Sequence, residues 1–195
     1  MGKIWVTSDT HFGHENIIQY CNRPFKNAWR MTNQMKEMWN DTVGEYDKVY
    51  HLGDVYFGNG WGQEFWMEFF PSLHGKKRLI LGNHDDGKDP VLLKNFEKIL
   101  VWRAFGDLGL LLTHVPVHPS TLGENPRRPT GWLNVHGHTH EKGEPEEHKE
   151  KYKCVCVEHT DYKPILLDEL IKIAEERRAS EGQYRKEREL QTEAS

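Results

Sequence analysis

The chain has 195 residues, 36% of them apolar and 29% charged, and a net charge of −4. That length fits one domain with one core, and the composition is that of a globular chain on the polar side. The acidic balance argues against a nucleic-acid backbone as partner, and no apolar run approaches the ~20 residues that cross a bilayer.

Lys3–Ser8 (KIWVTS) is a short β-branched and apolar run and predicts a buried strand that delivers Asp9 at its C-terminal end. Asn16–Tyr20 reads as a short helix stopped before Pro24. Met35, Met38, Trp39 and Val43 recur at helical spacing, which predicts a helix from Thr32, as N-cap, to about Tyr46. Lys48–Leu52 is a second strand, closed by Gly53-Asp54, and Gly58–Gly62 is a glycine-rich loop. Gln63–Leu73 is helical in period, Lys76–Leu81 is a third strand ending at Gly82-Asn83-His84, and Pro90–Lys98 is a helix with proline at its favoured first position.

Ile99–Phe105 and Leu108–Thr113 predict two strands, antiparallel across Gly106-Asp107, the second ending at His114. Val115–Gly131 is a long proline-rich segment of the kind that is functional or mobile in small domains. Trp132–His136 is a strand running into Gly137-His138, Glu141–Lys151 a charged hairpin tip, Tyr152–Glu158 a strand, and Pro164 the start of a final helix. Past Ala174 that helix becomes almost wholly charged, so the expected division is one domain over 1–178 and a solvated tail, helical or disordered, over 179–195.

The three cysteines, Cys21, Cys154 and Cys156, are too few and odd in number for a disulfide framework. With no signal-peptide pattern ahead of the first strand, a reducing cytoplasm is the expected compartment. Cys154 and Cys156 alternate in a strand and read as buried packing residues.

The chemistry-bearing residues are Asp9-x-His11, Gly53-Asp54, Gly82-Asn83-His84-Asp85, His114 and Gly137-His138-Thr139-His140. Each falls at a strand C-terminus or in the loop after it, where open α/β sheets build their sites. Carboxylates, imidazoles and an asparagine carbonyl suit Mn, Fe, Zn or Co, in the number needed for two divalent ions, with Mn expected to support activity in vitro. Asp54, a carboxylate after a tight turn between the other groups, is the best candidate bridge. Of the remaining histidines, His51 and His136 read as core or supporting residues, and His74, His148 and His159 as surface or loop residues. His14, His118, Arg127 and Arg128 are candidate substrate contacts, the arginines as a phosphate fork. Trp61 and Trp132 flank the site loops and could stack a base.

From Lys3 to about Pro164 these motifs together resemble the calcineurin-like metallophosphoesterase superfamily, and the opening SDTHFGHENIIQYCNRPF is similar to a subgroup of small bacterial and phage phosphoesterases. The resemblance implies two mixed β-sheets packed as a sandwich and flanked by helices. It implies that Asp9, His11 and His140 hold one metal, that Asn83, His114 and His138 hold the other, and that Asp54 bridges them. His84 would face the substrate as the catalytic residue, with Asp85 holding the turn and the His84 ring. The implied reaction is in-line attack on phosphorus by a metal-bridging hydroxide. Phosphoprotein phosphatases of this superfamily follow Gly-Asp with Asp-Arg-Gly, whereas here Val55-Tyr56-Phe57-Gly58 follows. The expected substrate is therefore a small phosphodiester, a nucleotide, with cyclic nucleotides included. The alternative is a phosphomonoesterase or nucleoside polyphosphate hydrolase, with a nuclease or an inactive scaffold ranked lower; oligomeric state is left open.

Overall fold

A computed structural model describes residues 2–58, 60–123 and 131–193, with side chains described as far as residue 180. Strand alternation sets the layers. In β1 (Ile4–Thr7), β2 (Lys48–His51) and β3 (Lys76–Ile80) successive side chains leave opposite faces of one sheet. Trp5, Val49 and Leu79 enter one apolar core, and Val6, Tyr50 and Ile80 enter a second.

The first core is covered by helices α1 (Glu15–Tyr20), α2 (Ala28–Thr42), α3 (Gly62–Phe69) and α4 (Pro90–Asn95). On α2 the buried residues Met31, Met35 and Trp39 stand four apart, one stripe facing the sheet. Burial of each such side chain contributes about 1.5–3 kcal/mol. The second core lies between the two sheets and is shared with α5 (Leu167–Glu193), through Leu167, Leu170 and Ala174.

The first sheet has the order β4-β3-β2-β1-β9, with β4 spanning Lys98–Leu100 and β9 spanning Ile165–Leu166. Strands β1 to β4 are parallel, and β9 runs antiparallel to β1. The second sheet has the order β5-β6-β7-β8, formed by Arg103–Phe105, Leu110–Leu112, Leu133–His136 and Tyr152–Cys154. Here β5 is antiparallel to β6, and β6, β7 and β8 are parallel. Two mixed sheets in a sandwich with flanking helices is the architecture expected from the sequence.

Several boundaries differ from expectation. The run Ile99–Phe105 is not one strand: it divides at the exposed Val101 and Trp102, and the chain passes there from the edge of one sheet to the edge of the other. Unbroken apolar sequence hides such a crossing. Helix α2 starts earlier, capped by Asn27, whose Oδ1 accepts from Arg30 N at 2.9 Å. Thr32 lies inside the helix, where its buried hydroxyl accepts from Gly13 N at 2.9 Å. Residues 141–151 are not a hairpin tip, because β7 and β8 pair in parallel and the segment is a crossover. Strand β8 stops at Cys154, and β9 precedes α5, which begins at Leu167 rather than at Pro164.

Candidate metal centre

The parallel strands put every candidate ligand at one edge. Asp9 follows β1, Asp54 follows β2, Asn83 and His84 follow β3, His114 follows β6, and His138 and His140 follow β7. Backbone bonds tie these loops together: Asp9 N to Gly53 O at 2.9 Å, His11 N to Asp54 O at 3.1 Å, and Gly137 N to His114 O at 2.8 Å. A bridge between Ser8 and Cys156 joins the two sheets at the same edge.

Five of these residues, Asp9, His11, Asp54, His138 and His140, have left-handed backbone, with φ between 47° and 69°. Side chains at such φ cost of order 1–3 kcal/mol each and persist where the surroundings enforce them. Five of the nine described non-glycine residues with positive φ are thus candidate ligands.

Two groups result. Ligand atoms of Asp9, His11 and His140 lie within 4.8 Å of one another, as do those of Asp54, His114 and His138. Asn83 Oδ1 adds to the second group, 2.8 Å from both His114 Nε2 and His138 Nδ1. Asp54 Oδ2 stands between the groups, 3.6 Å from His11 Nε2 and 3.5 Å from His114 Nε2.

The polar atoms themselves test whether a cation fits. Asp9 Oδ1 and His11 Nε2 are buried and make no hydrogen bond, although they lie 3.9 Å apart. Such groups cost free energy unless paired, and a divalent cation pairs both. His114 Nδ1 is 2.8 Å from Leu52 O, an obligate acceptor, so Nδ1 carries the proton and Nε2 presents a lone pair. That lone pair converges with the oxygens of Asn83 and Asp54, a convergence that favours a cation. Burial first, and then the Arg23 charge, keep His11 neutral and able to donate. Burial raises the Asp9 carboxyl, so its charged form is favoured only beside a positive charge.

His140 behaves differently. Burial would lower its pKa, but the Cys21 and Glu158 hydrogen bonds and the Asp9 charge together raise it to about 10. Its proton must leave when a cation binds. Cys21, His140 and Glu158 form a third close group, so a thiol does stand beside a candidate ligand, which sequence reading did not place there.

Sequence reading also missed Arg23 and Glu158. Arg23 is buried and donates to Asp9 O at 2.7 Å, to Thr10 O at 2.9 Å and to Glu158 Oε1 at 2.7 Å. Glu158 Oε1 in turn lies 3.1 Å from His140 Nδ1. Burial would raise the Glu158 carboxyl, but the His140 hydrogen bond and the Arg23 and His140 charges hold it down to about 2. An arginine beside a proline in a loop carries no sequence signal for this role. Asp9 Oδ2 is fixed by Ser8 Oγ at 2.5 Å, His138 N at 2.9 Å and Cys156 Sγ at 3.2 Å, so Oδ1 faces the cluster.

His84 is exposed, edge-on to His11 at 5.6 Å, and its N–H donates to Asp54 Oδ1 at 2.9 Å. Asp85 accepts from the amides of Asp54 and Gly82, both at 2.8 Å, and of Val55 at 3.0 Å. All three bonds hold backbone turns, and none goes to the His84 ring. His14 lies beside the cluster, stacked on Phe57 at 4.3 Å. His118 is elsewhere: exposed, it caps the turn Pro119–Leu122 through Ser120. Arg127 and Arg128 lie outside the described residues. Trp61 packs on Trp66 at 5.3 Å rather than facing the ligands, and the Trp132 carbonyl accepts from Arg177. His51 and His136 are buried as expected, bonded to Thr10 and to Gly137 O. His74 is half-buried and ties down the end of α2 at Asn40 and Val43, and the exposed His159 meets His140 O at 2.6 Å.

Known proteins are similar to this chain over most of its length. An uncharacterized protein of Methanocaldococcus jannaschii is 36% identical over 179 residues, which cover 90% of this chain and 93% of that protein. The gene 66 protein of Mycobacterium phage L5 is 30% identical over 165 residues, 72% of this chain and 78% of the phage protein. The crystal structure of a protein of unknown function from Aquifex aeolicus superposes with a TM-score of 0.67 at 28% identity, covering 89% of this chain and all of that one. The sequence profile of calcineurin-like phosphoesterases matches residues 2–166. With that match over most of its length and divalent-cation donors gathered at one sheet edge, the chain belongs to the calcineurin-like phosphoesterase family and is a metal-dependent phosphoesterase.

Proposed function

We propose that the chain is a two-metal phosphodiesterase acting on a small nucleotide, with cyclic nucleotides among the substrates to screen, and that residues 1–178 form its working domain ahead of a charged tail. The observation that carries this reading is Asp54 Oδ2, which stands 3.6 Å from His11 Nε2 and 3.5 Å from His114 Nε2. A ligand shared by two cations needs an anionic oxygen within reach of both donor groups.

Asp9, His11 and His140 would hold one ion, Asn83, His114 and His138 the other, and Asp54 would bridge. When bound, such a pair activates a water and neutralises the non-bridging phosphate oxygens. The chain's own residues do the rest. Leu52 O holds the His114 ring in the tautomer that donates through Nε2. Glu158 does the corresponding work at His140, and Asp85 pins the two turns that carry Asp54 and Asn83. His84, exposed in the cleft, would protonate the leaving oxygen. Asp85 is thus a positioning residue.

The test is hydrolysis of bis-p-nitrophenyl phosphate against p-nitrophenyl phosphate with Mn²⁺, in wild type and Asp54→Ala. Diester turnover above monoester, lost in the variant with reduced metal content, supports the reading. Monoester preference would replace it by a phosphomonoesterase or polyphosphate hydrolase.

A further inference from the structure

His84 borders two cavities of unlike chemistry. The larger, about 480 Å³, lies between α1 and the turn after β7; away from the ligand histidines it is walled by Ile17, Tyr20, Cys21, Thr139, Glu141 and Lys142. The smaller, about 190 Å³, is bordered by Asp85, Asp86 and Asp89 beside Tyr56 and Phe57. Only the first falls within the roughly 300–1,000 Å³ usual for small-molecule sites. The three carboxylates of the second disfavour an anion. Of these two cavities the first is therefore the one that suits the rest of a substrate whose phosphoryl group lies at His84.

That direction is aromatic and apolar on one side. Tyr20 is 69% exposed at the mouth of the larger cavity, while Ile17, one turn earlier on the same helix, is 4% exposed. The Tyr20 ring stands edge-on to His14, 6.4 Å away at 80°. His14 is itself fixed flat on Phe57, at 12°. On the opposite wall the exposed Glu141 and Lys142 supply a carboxylate and an ammonium, while the Thr139 hydroxyl is turned to Gly137 O and Cys154 Sγ. An aromatic face, an apolar wall and a few polar groups across from them suit a flat heterocycle with a hydrogen-bonding edge.

We infer that this cavity is a base-binding subsite. The heterocycle of a nucleotide stacks on Tyr20 and packs over Ile17, its polar edge meets Glu141 and Lys142, and its phosphoryl group lies at His84. The inference rests on the phosphoesterase reading only for the position of that phosphoryl group. It replaces Trp61 and Trp132 by Tyr20 as the stacking residue.

The experiment is titration calorimetry of the Mn²⁺-loaded protein with AMP, ribose 5-phosphate and inorganic phosphate, in wild type, Tyr20→Ala and Tyr20→Phe. In wild type, AMP is expected to bind at least about tenfold tighter than ribose 5-phosphate, as a stacked base does. Tyr20→Ala should bring the two constants within about threefold, and Tyr20→Phe, which keeps the ring, should restore the difference. Equal constants in wild type, no binding of either sugar phosphate, or an AMP preference unchanged in Tyr20→Ala would overturn the subsite. Failure of the phosphodiesterase reading would show separately, as absent turnover of bis-p-nitrophenyl phosphate, and leaves these constants readable.

Discussion

Glu158 and His140 are joined through one ring nitrogen while the other faces the candidate ligand Asp9: Nδ1 lies 3.1 Å from Glu158 Oε1, and Nε2 lies 3.7 Å from Asp9 Oδ1. A carboxylate behind a histidine fixes the ring's orientation and raises its basicity, and loss of such a partner costs about 10–100-fold in metal affinity. Glu158→Gln keeps the shape and a partner for Arg23 but removes the charge. Its Mn²⁺ dissociation constant should rise by that factor with the circular dichroism spectrum unchanged. An unaltered constant would mean that Glu158 serves only to neutralise Arg23.

His84 is assigned the leaving oxygen, and the assignment makes a prediction about leaving groups. General acid catalysis contributes typically ~10²–10⁴-fold, and most where the departing oxygen is basic. In His84→Ala, turnover of a 2′,3′-cyclic nucleotide, which expels an alkoxide, should fall by about that range. Turnover of bis-p-nitrophenyl phosphate should fall less, because p-nitrophenolate departs with little need of a proton. Metal content measured alongside should stay at the wild-type level. Equal losses on both substrates would instead indicate a role in binding phosphate.

The sequence made the candidate cluster legible because each proposed ligand sits in a short motif at a strand end, where spacing and residue type speak together. The parallel strands then had to bring the motifs to one edge. Arg23 and Glu158 were not legible, because their role depends on a contact across 135 positions of chain. The division of Ile99–Phe105 between two sheets escaped for another reason: the crossing residues Val101 and Trp102 are exposed yet apolar, so no polar residue marks the break. Thr32 misled as an N-cap because threonine is equally suited to the buried bond it makes to Gly13 N.

Gly137 is required by space rather than by φ. A Cβ at this position would overlap Ser8 Oγ and Asp9 Oδ2, the atoms that fix the Asp9 carboxylate. Gly137→Ala should therefore displace Asp9 and lower metal content while costing about 1–3 kcal/mol in stability, the usual range for overpacking. Gly123→Ala is the comparison, since among the described residues its Cβ would meet nothing closer than Ser120 O at 3.5 Å. Metal analysis and thermal unfolding of both variants would decide it, and equal behaviour would dismiss the steric argument.

Lys77 supplies a pH dependence remote from the metal centre. Its ammonium is buried in β3 and donates to Leu73 O at 2.8 Å and Gly75 O at 3.0 Å. Burial pushes its pKa down to about 8 from 10.5, with Glu97 acting weakly the other way. The unfolded chain thus holds more protons than the folded one between those values, and stability rises with pH across that window. Below about pH 8 the folded protein carries the full cost of the buried charge, on the order of 3 kcal/mol. Urea unfolding of wild type and Lys77→Met from pH 7 to 10.5 isolates the effect from other alkaline titrations. Wild type should gain on the variant as the pH rises, and a difference independent of pH would show that the two carbonyls compensate the charge completely.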